Sequence, residues 1–150
     1  MSGVEYSPVT IAIGGVNTAR FKAIREVAER RFPQGVLFRR VDVPVNNNKE
    51  FKTGFRAAES TVRTMVTEAH QKVPHADFVV GLDTRIMGES RSRATPFFVD
   101  RAVAMVKNTT KGRRGISRSS IGFIDSAPPS PTDRHTQYVD ALDTAFDRAK

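Results

Sequence analysis

The run Ala76-Asp-Phe-Val-Val-Gly-Leu-Asp83 constrains this chain more than any other segment. Its interior is almost continuously apolar, the pattern of a central strand covered on both faces of a sheet. An earlier segment, Ile11-Ala-Ile-Gly-Gly-Val-Asn-Thr-Ala-Arg20, follows the same plan of an apolar strand that ends on polar residues. In an open α/β sheet, ligands collect just beyond the carboxyl ends of the strands. Asn17, Arg20 and Asp83 are therefore expected on one rim, an amide and a cation close to an acid. That combination suits the phosphates of a nucleotide and their magnesium.

Helical patterns alternate with these strands. Gly14-Gly15 permits a tight turn, Asn17 or Thr18 can cap a helix, and Phe21, Ile24, Val27, Ala28 and Phe32 recur at helical spacing. Pro33-Gln-Gly35 stops that helix, and Val36–Val43 reads as an edge or bulged strand interrupted by Arg39-Arg40. A second amphipathic helix is predicted from about Phe55 to Lys72, closed by Pro74. Thr95-Pro96 reads as a helix start, with Phe98, Ala102, Met105 and Val106 continuing the helix. Lys107–Ser120 reads as an exposed basic loop, Ile121–Ile124 as a short strand, and a last helix is capped by Thr132. The sequence thus predicts a single α/β domain over 1–150, a mixed, partly parallel sheet flanked by helices.

Composition narrows the class of function. Without cysteine there is no disulfide framework, thiolate zinc site or cysteine nucleophile. No apolar run approaches the roughly 20 residues of a membrane span, and the N-terminus lacks the pattern of a signal peptide. A cytoplasmic protein with no membrane partner is the expectation. Twenty-four Lys and Arg against sixteen Asp and Glu give a net charge of +8. Such a balance favours polyanionic partners, a nucleotide, RNA or an acidic protein, although a basic surface also serves solubility alone.

Asp83 is the leading chemical candidate, because an acid closing a buried strand is costly unless it is hydrated, paired or bound to a cation. Its structural alternative is a turn residue that caps nearby amides. Glu59, Glu89 and Asp125 are further acids without a spacing that joins them to it. Gly14–Thr18 can set amides and a helix N-terminus against phosphate, with Arg20 as a bidentate cation. It matches neither the Walker loop nor the dinucleotide fingerprint, and a plain strand–turn–helix connection explains it equally. Lys107–Arg118 is the densest basic stretch and either grips a phosphate backbone or is simply solvated, since it carries no aromatic residue for base stacking. His70, His75 and His135 form no zinc-spaced pair, and no nucleophile elbow is present.

Several segments together resemble the inosine/xanthosine triphosphatase family, the non-canonical purine nucleoside triphosphate phosphatases of the broader Maf/Ham1-like fold. Val16-Asn17-Thr18-Ala19-Arg20 is similar to the family's Thr-Asn-Pro-x-Lys segment, with Arg20 at the phosphate-facing lysine and the proline lost. Pro74-His-Ala-Asp-Phe-Val-Val-Gly-Leu-Asp83 parallels the Pro-x-Ala-Asp-Phe strand and its following acid, so Asp83 takes the metal-binding position and Arg85 replaces a glycine. Arg93-Ala-Thr-Pro96 resembles the family's Ala-Thr-x-Pro segment, which places Thr95 at the substrate. Asp133-Arg134-His135 and Tyr138 are similar to the last helix start, which makes Arg134 and His135 substrate-facing. The C-terminal domain of proline-rich coiled-coil protein 1 shares the Ala-Thr-Pro likeness.

The departures are as definite. Ala57 stands where the family has a second acid, with Glu59 two residues later, and Ser130-Pro131 replaces a Gly-Lys pair. The resemblance implies a magnesium-dependent hydrolase of ITP and XTP, with Asp83 and Glu59 catalytic, Asp83 on the metal, and Asn17, Arg20, Thr95, Arg134 and His135 on the substrate. It also implies a homodimer. The alternative is a catalytically silent relative that binds nucleotide, RNA or a protein partner through its basic surface.

Overall fold

A computed structural model describes residues 7–44, 55–89 and 97–150. Thr95 and Pro96 lie outside them. The described elements run β1 (Val9–Gly14), α1 (Thr18–Arg31), β2 (Val36–Val41), α2 (Phe55–Lys72), β3 (Phe78–Glu89), β4 (Phe97–Asn108), β5 (Arg113–Ile124) and α3 (Pro131–Arg148). The strands form one mixed sheet in the order β2-β1-β3-β4-β5, parallel at β2, β1 and β3 and antiparallel from β3 to β5.

The sheet divides two apolar layers, and strand period two assigns each residue to one of them. On one face Ile11, Ile13, Val80, Leu82 and Ala104 pack against Ile24 and Val27 of α1 and Leu142 and Phe146 of α3. On the other, Val79, Val103 and Met105 pack against Ala58, Val62 and Val66 of α2. Phe32, Phe78 and Phe146 close the first layer with ring centroids 5.1 to 6.0 Å apart. Arg31 fastens α1 to α3 through Asp143 at 3.1 Å and Asp147 at 2.8 Å. Gly35, at φ +108°, gives the chain the left-handed turn between α1 and β2.

Three expectations fail, the first two for related reasons. The segment read as a helix after Thr95-Pro96 is β4. Covered by α2 on one side and α3 on the other, it is buried at most positions, so apolar residues stand at every spacing and the helical subset is accidental. The basic stretch Lys107–Ser120 is no loop. It is the end of β4, a short turn and most of β5, whose arginines decorate an edge strand and discourage pairing with another sheet. The last helix is capped by Ser130 rather than Thr132: the Ser130 hydroxyl accepts from the Asp133 amide at 3.0 Å while the Asp133 carboxylate accepts from the Ser130 amide. Pro131 at the first helical position moves the cap upstream.

Candidate functional site

The connection β1–α1–β2 lies on one face of the sheet, whereas α2 crosses on the other face to reach β3 on the far side of β1. The strand order therefore reverses at β1, and the carboxyl end of β1 is the switch point where open α/β sheets form a crevice. Gly14 ends β1 there. A Cβ on Gly14 would lie 2.5 Å from the Met65 carbonyl oxygen, so only glycine lets α2 come this close. Gly15, at φ +117°, turns the chain away while its amide donates to the Val41 carbonyl at 2.7 Å. Arg40 of β2 donates to the Val16 carbonyl at 2.5 Å and lies over the Phe21 ring, which fixes the turn from the side.

Asn17 is the N-cap of α1, its carboxamide oxygen accepting from the Arg20 amide at 2.9 Å. That cap starts the helix over the crevice and sends Arg20 toward β3. Because the β1 ladder stops at Gly14 opposite Gly81, the Leu82 carbonyl lies beyond it. Arg20 donates to that carbonyl at 3.3 Å and to the Thr84 hydroxyl at 3.2 Å. Its Nη1 also lies 3.4 Å from Oδ1 of Asp83, and Nε of Arg85 donates to Oδ2 at 3.0 Å. Arg85 in turn donates to the Thr61 hydroxyl of α2 at 2.9 Å. Asp83, buried at the end of an apolar run, is thus paired on both oxygens, which offsets the cost of desolvating it.

The crevice encloses about 170 Å³ and is lined by Gly14, Gly15, Asn17, Arg20, Asp42 and Met65 among others. That is below the roughly 300 Å³ of a full small-molecule pocket and suits a phosphate-sized group. Asp42, just past β2, supplies an exposed acid on the wall opposite α1.

A second polar group sits on the α3 face. Asp100 of β4 is 1% exposed, with Nε of Arg134 3.4 Å from its Oδ2 and the Gln137 amide donating to its main-chain carbonyl at 3.2 Å. Asp100 Oδ1 and Gln137 Oε1 find no hydrogen-bond partner among the described residues. Burial raises the Asp100 carboxyl above its usual range, opposed by Arg134 and then by Arg20. Arg20 therefore exerts its charge on an acid of each face.

Asn17, Arg20 and Asp83 come together on the rim as their strand-end positions implied, and Arg134 reaches the same end through Asp100. Glu59 does not join them. It is held by Arg118 of β5 and lies 3.9 Å from Arg63. Arg118 shares the register row of Asp83 but stands two strands away, about 10 Å. His135 bonds Glu26 at 2.9 Å and bridges α3 to α1. Thr95 lies outside the described residues. Asp42, Asp100 and Gln137 escaped the sequence reading, and Arg85 entered it only as the replacement of a glycine, not as a partner of Asp83. Asp42 follows the end of a parallel strand, so the rule that singled out Asp83 applies to it as well. Asp100 interrupts the apolar run Phe97–Val106, a signal hidden while that run passed for a helix. Among the described residues no three His, Cys, Asp or Glu gather as a metal site, and no helix is long and apolar enough to cross a membrane.

The fold and crevice define an α/β protein of mixed sheet with a polar switch-point site. No family model and no curated protein matches the chain. Among solved structures it is similar to protein VC0702 from Vibrio cholerae, at 20% identity and a TM-score of 0.66, over 94% of each chain. That likeness shows the fold. Lipoprotein GNA1162 from Neisseria meningitidis matches at 11% identity and a TM-score of 0.43, over 86% of this chain and 92% of that one. The hypothetical protein CT253 from Chlamydia trachomatis matches at 8% identity and a TM-score of 0.30, over 95% and 94%.

Proposed function

We propose that the chain binds purine nucleoside triphosphates with their phosphates at the carboxyl end of β1, and hydrolyses the non-canonical ones, ITP and XTP, when magnesium accompanies them. The observation that carries this reading is the Arg20 guanidinium, held at the crevice 3.4 Å from a buried acid. A phosphate chain laid along Gly15–Asn17 meets the N-terminus of α1, whose amides and dipole favour anions. Arg20 then trades a carboxylate oxygen for phosphate oxygens, one charge-assisted contact for another. Asp83 keeps Arg85 on one oxygen, and its other oxygen is released by Arg20. Asp83, the acid that the sequence resemblance puts on the metal, would hold magnesium, which commonly takes one or two carboxylates with the phosphates and supplies charge neutralisation and a polarised water. Arg134 adds positive charge where it develops on the phosphates. The sequence resemblance supports the same assignments for Asn17, Arg20, Asp83 and Arg134.

A second reading has its own observation. Both oxygens of Asp83 are paired with arginines and Glu59 is occupied by Arg118, an arrangement suited to binding nucleotide without turnover. Release of phosphate and pyrophosphate with magnesium, across ITP, XTP, GTP, ATP and UTP, separates the two. Turnover selective for ITP or XTP and lost in Asp83→Ala supports the hydrolase. Thermal stabilisation by ITP without turnover supports the binding module. Neither effect with any nucleotide sinks both.

A further inference from the structure

Far from Arg20, at the opposite end of the sheet, the last turn of α2 lies over the β4–β5 hairpin. A pocket of about 290 Å³ opens between them, with Val66 and Pro74 as apolar wall and His70, Lys107 and Arg114 facing in. Lys107 and Arg114 are directly opposite each other in the β4–β5 register. Like charges in that position repel, so the sheet gains nothing from the pair by itself. No acid lines the pocket, and among the described residues Arg114 makes no ion pair or hydrogen bond. Lys107 donates to Nδ1 of His70 at 3.0 Å, which makes the imidazole neutral in this arrangement. Burial, then Lys107 and Arg114, hold the His70 pKa below its ordinary value.

Three nitrogen groups therefore converge on one concavity with nothing negative to answer them. Arg118, on the same side of β5, is engaged by Glu59, whereas Arg114 is left open. An apolar wall beside the cations lowers the local dielectric and strengthens their pull on an anion.

We propose that this pocket binds a phosphate group, with Lys107 and Arg114 as its cationic ligands and the Thr67 hydroxyl and Gln71 amide on its rim. Lys107 lies four residues along β4 from Val103, the partner of Asp83, about 13 Å away, so the pocket is separate from the β1 crevice. The phosphate belongs either to a small phosphorylated ligand or to a nucleic-acid backbone, and both present the same tetrahedral anion. A bound phosphate accepts from Lys107 and from the Arg114 fork, and it reverses the field on His70, whose pKa then rises.

Isotope-labelled full-length chain titrated at low salt with inorganic phosphate, and separately with a deoxythymidine hexanucleotide, tests the site by NMR. Phosphate is expected to shift the His70 ring and Arg114 Nε resonances and to raise the His70 pKa. Arg114→Gln and Lys107→Gln should each weaken binding by about tenfold, while Arg39→Gln on distant β2 leaves it unchanged. A hexanucleotide that binds far more tightly than phosphate, again through Arg114, identifies a nucleic-acid backbone as the source. Equal or weaker binding identifies a small ligand. Unmoved His70 resonances with both probes overturn the proposal, as do shifts that persist undiminished in folded Arg114→Gln.

Discussion

The guanidinium of Arg20 on α1 lies 3.4 Å from the carboxylate of Asp83 on β3, across the end of the sheet from one helical layer toward the other. Asp83 points to the α2 side, where Arg85 secures its second oxygen at 3.0 Å. The pair thus ties both layers to one buried carboxylate at the place where the crevice opens.

Asp83→Asn should remove that tie at a cost smaller than the 3 to 5 kcal/mol typical of breaking a fully buried pair, about 2 kcal/mol, because both arginines retain access to water. Urea unfolding measures it. The same substitution should abolish magnesium-dependent turnover, and Arg20→Gln should weaken ITP binding without equal loss of stability. A stability loss of Arg20→Gln as large as that of Asp83→Asn, with ITP affinity intact, would make the pair purely structural.

Gly14 and Gly15 differ in why they are glycine, and substitution separates the reasons. Alanine at Gly14 meets the Met65 carbonyl and Cβ at 2.5 and 2.7 Å, so α2 must move off β1. Alanine at Gly15 meets nothing nearer than the Met65 methyl at 3.8 Å and suffers only from its positive φ. Gly14→Ala should cost about 3 kcal/mol and Gly15→Ala about 1 kcal/mol by denaturant unfolding. Reversed order would mean that α2 is not pinned by the β1 terminus.

What the sequence disclosed followed local punctuation. Gly14-Gly15, Asn17, Pro33 and Pro74 mark the ends of β1, α1 and α2 by backbone chemistry that needs no partner, and the strand-end rule put Asn17, Arg20 and Asp83 on one rim. Between Phe97 and Ile124 the only such marks are the turn glycine Gly112 and two glycines inside β5, Gly115 and Gly122, which do not bound it. The extended form of β4 and β5 is imposed by pairing with β3 and by two helical layers, which the sequence does not display. The same holds for side-chain partners. Arg85 reaches Thr61, and Glu59 reaches Arg118, through contacts between residues distant in sequence, and Arg85 meets Asp83, two residues away, only because β3 sets both on one face.

The cap of α3 offers an independent check of the Ser130 assignment. Ser130→Ala removes the acceptor for the Asp133 amide and should cost about 1 kcal/mol, whereas Thr132→Ala, inside the first turn, should be nearly neutral. Thermal unfolding of the two variants side by side decides between the caps.

Asp100 gives the fold an acid-side signature. Its carboxyl is raised above 3.8 chiefly by burial, with Arg134 and then Arg20 pulling the other way. As pH falls, the native state takes up this proton before the unfolded chain does, so this group makes the protein more stable on acidification through the window above 3.8. At neutral pH the ionised Asp100 is a penalty. Asp100→Asn keeps the shape of the side chain and removes the buried charge, and it should stabilise the protein by about 1 kcal/mol at neutral pH. Other carboxylates run in the opposite direction: Asp147 is held below its usual range by the Arg31 hydrogen bond, so its contribution is lost in acid. The informative quantity is therefore the difference in urea stability between wild type and Asp100→Asn as a function of pH. That difference should shrink as pH falls toward 3.8. A difference that stays flat would mean that Asp100 is not ionised at neutral pH, and the 3.4 Å contact with Arg134 would then not be an ion pair.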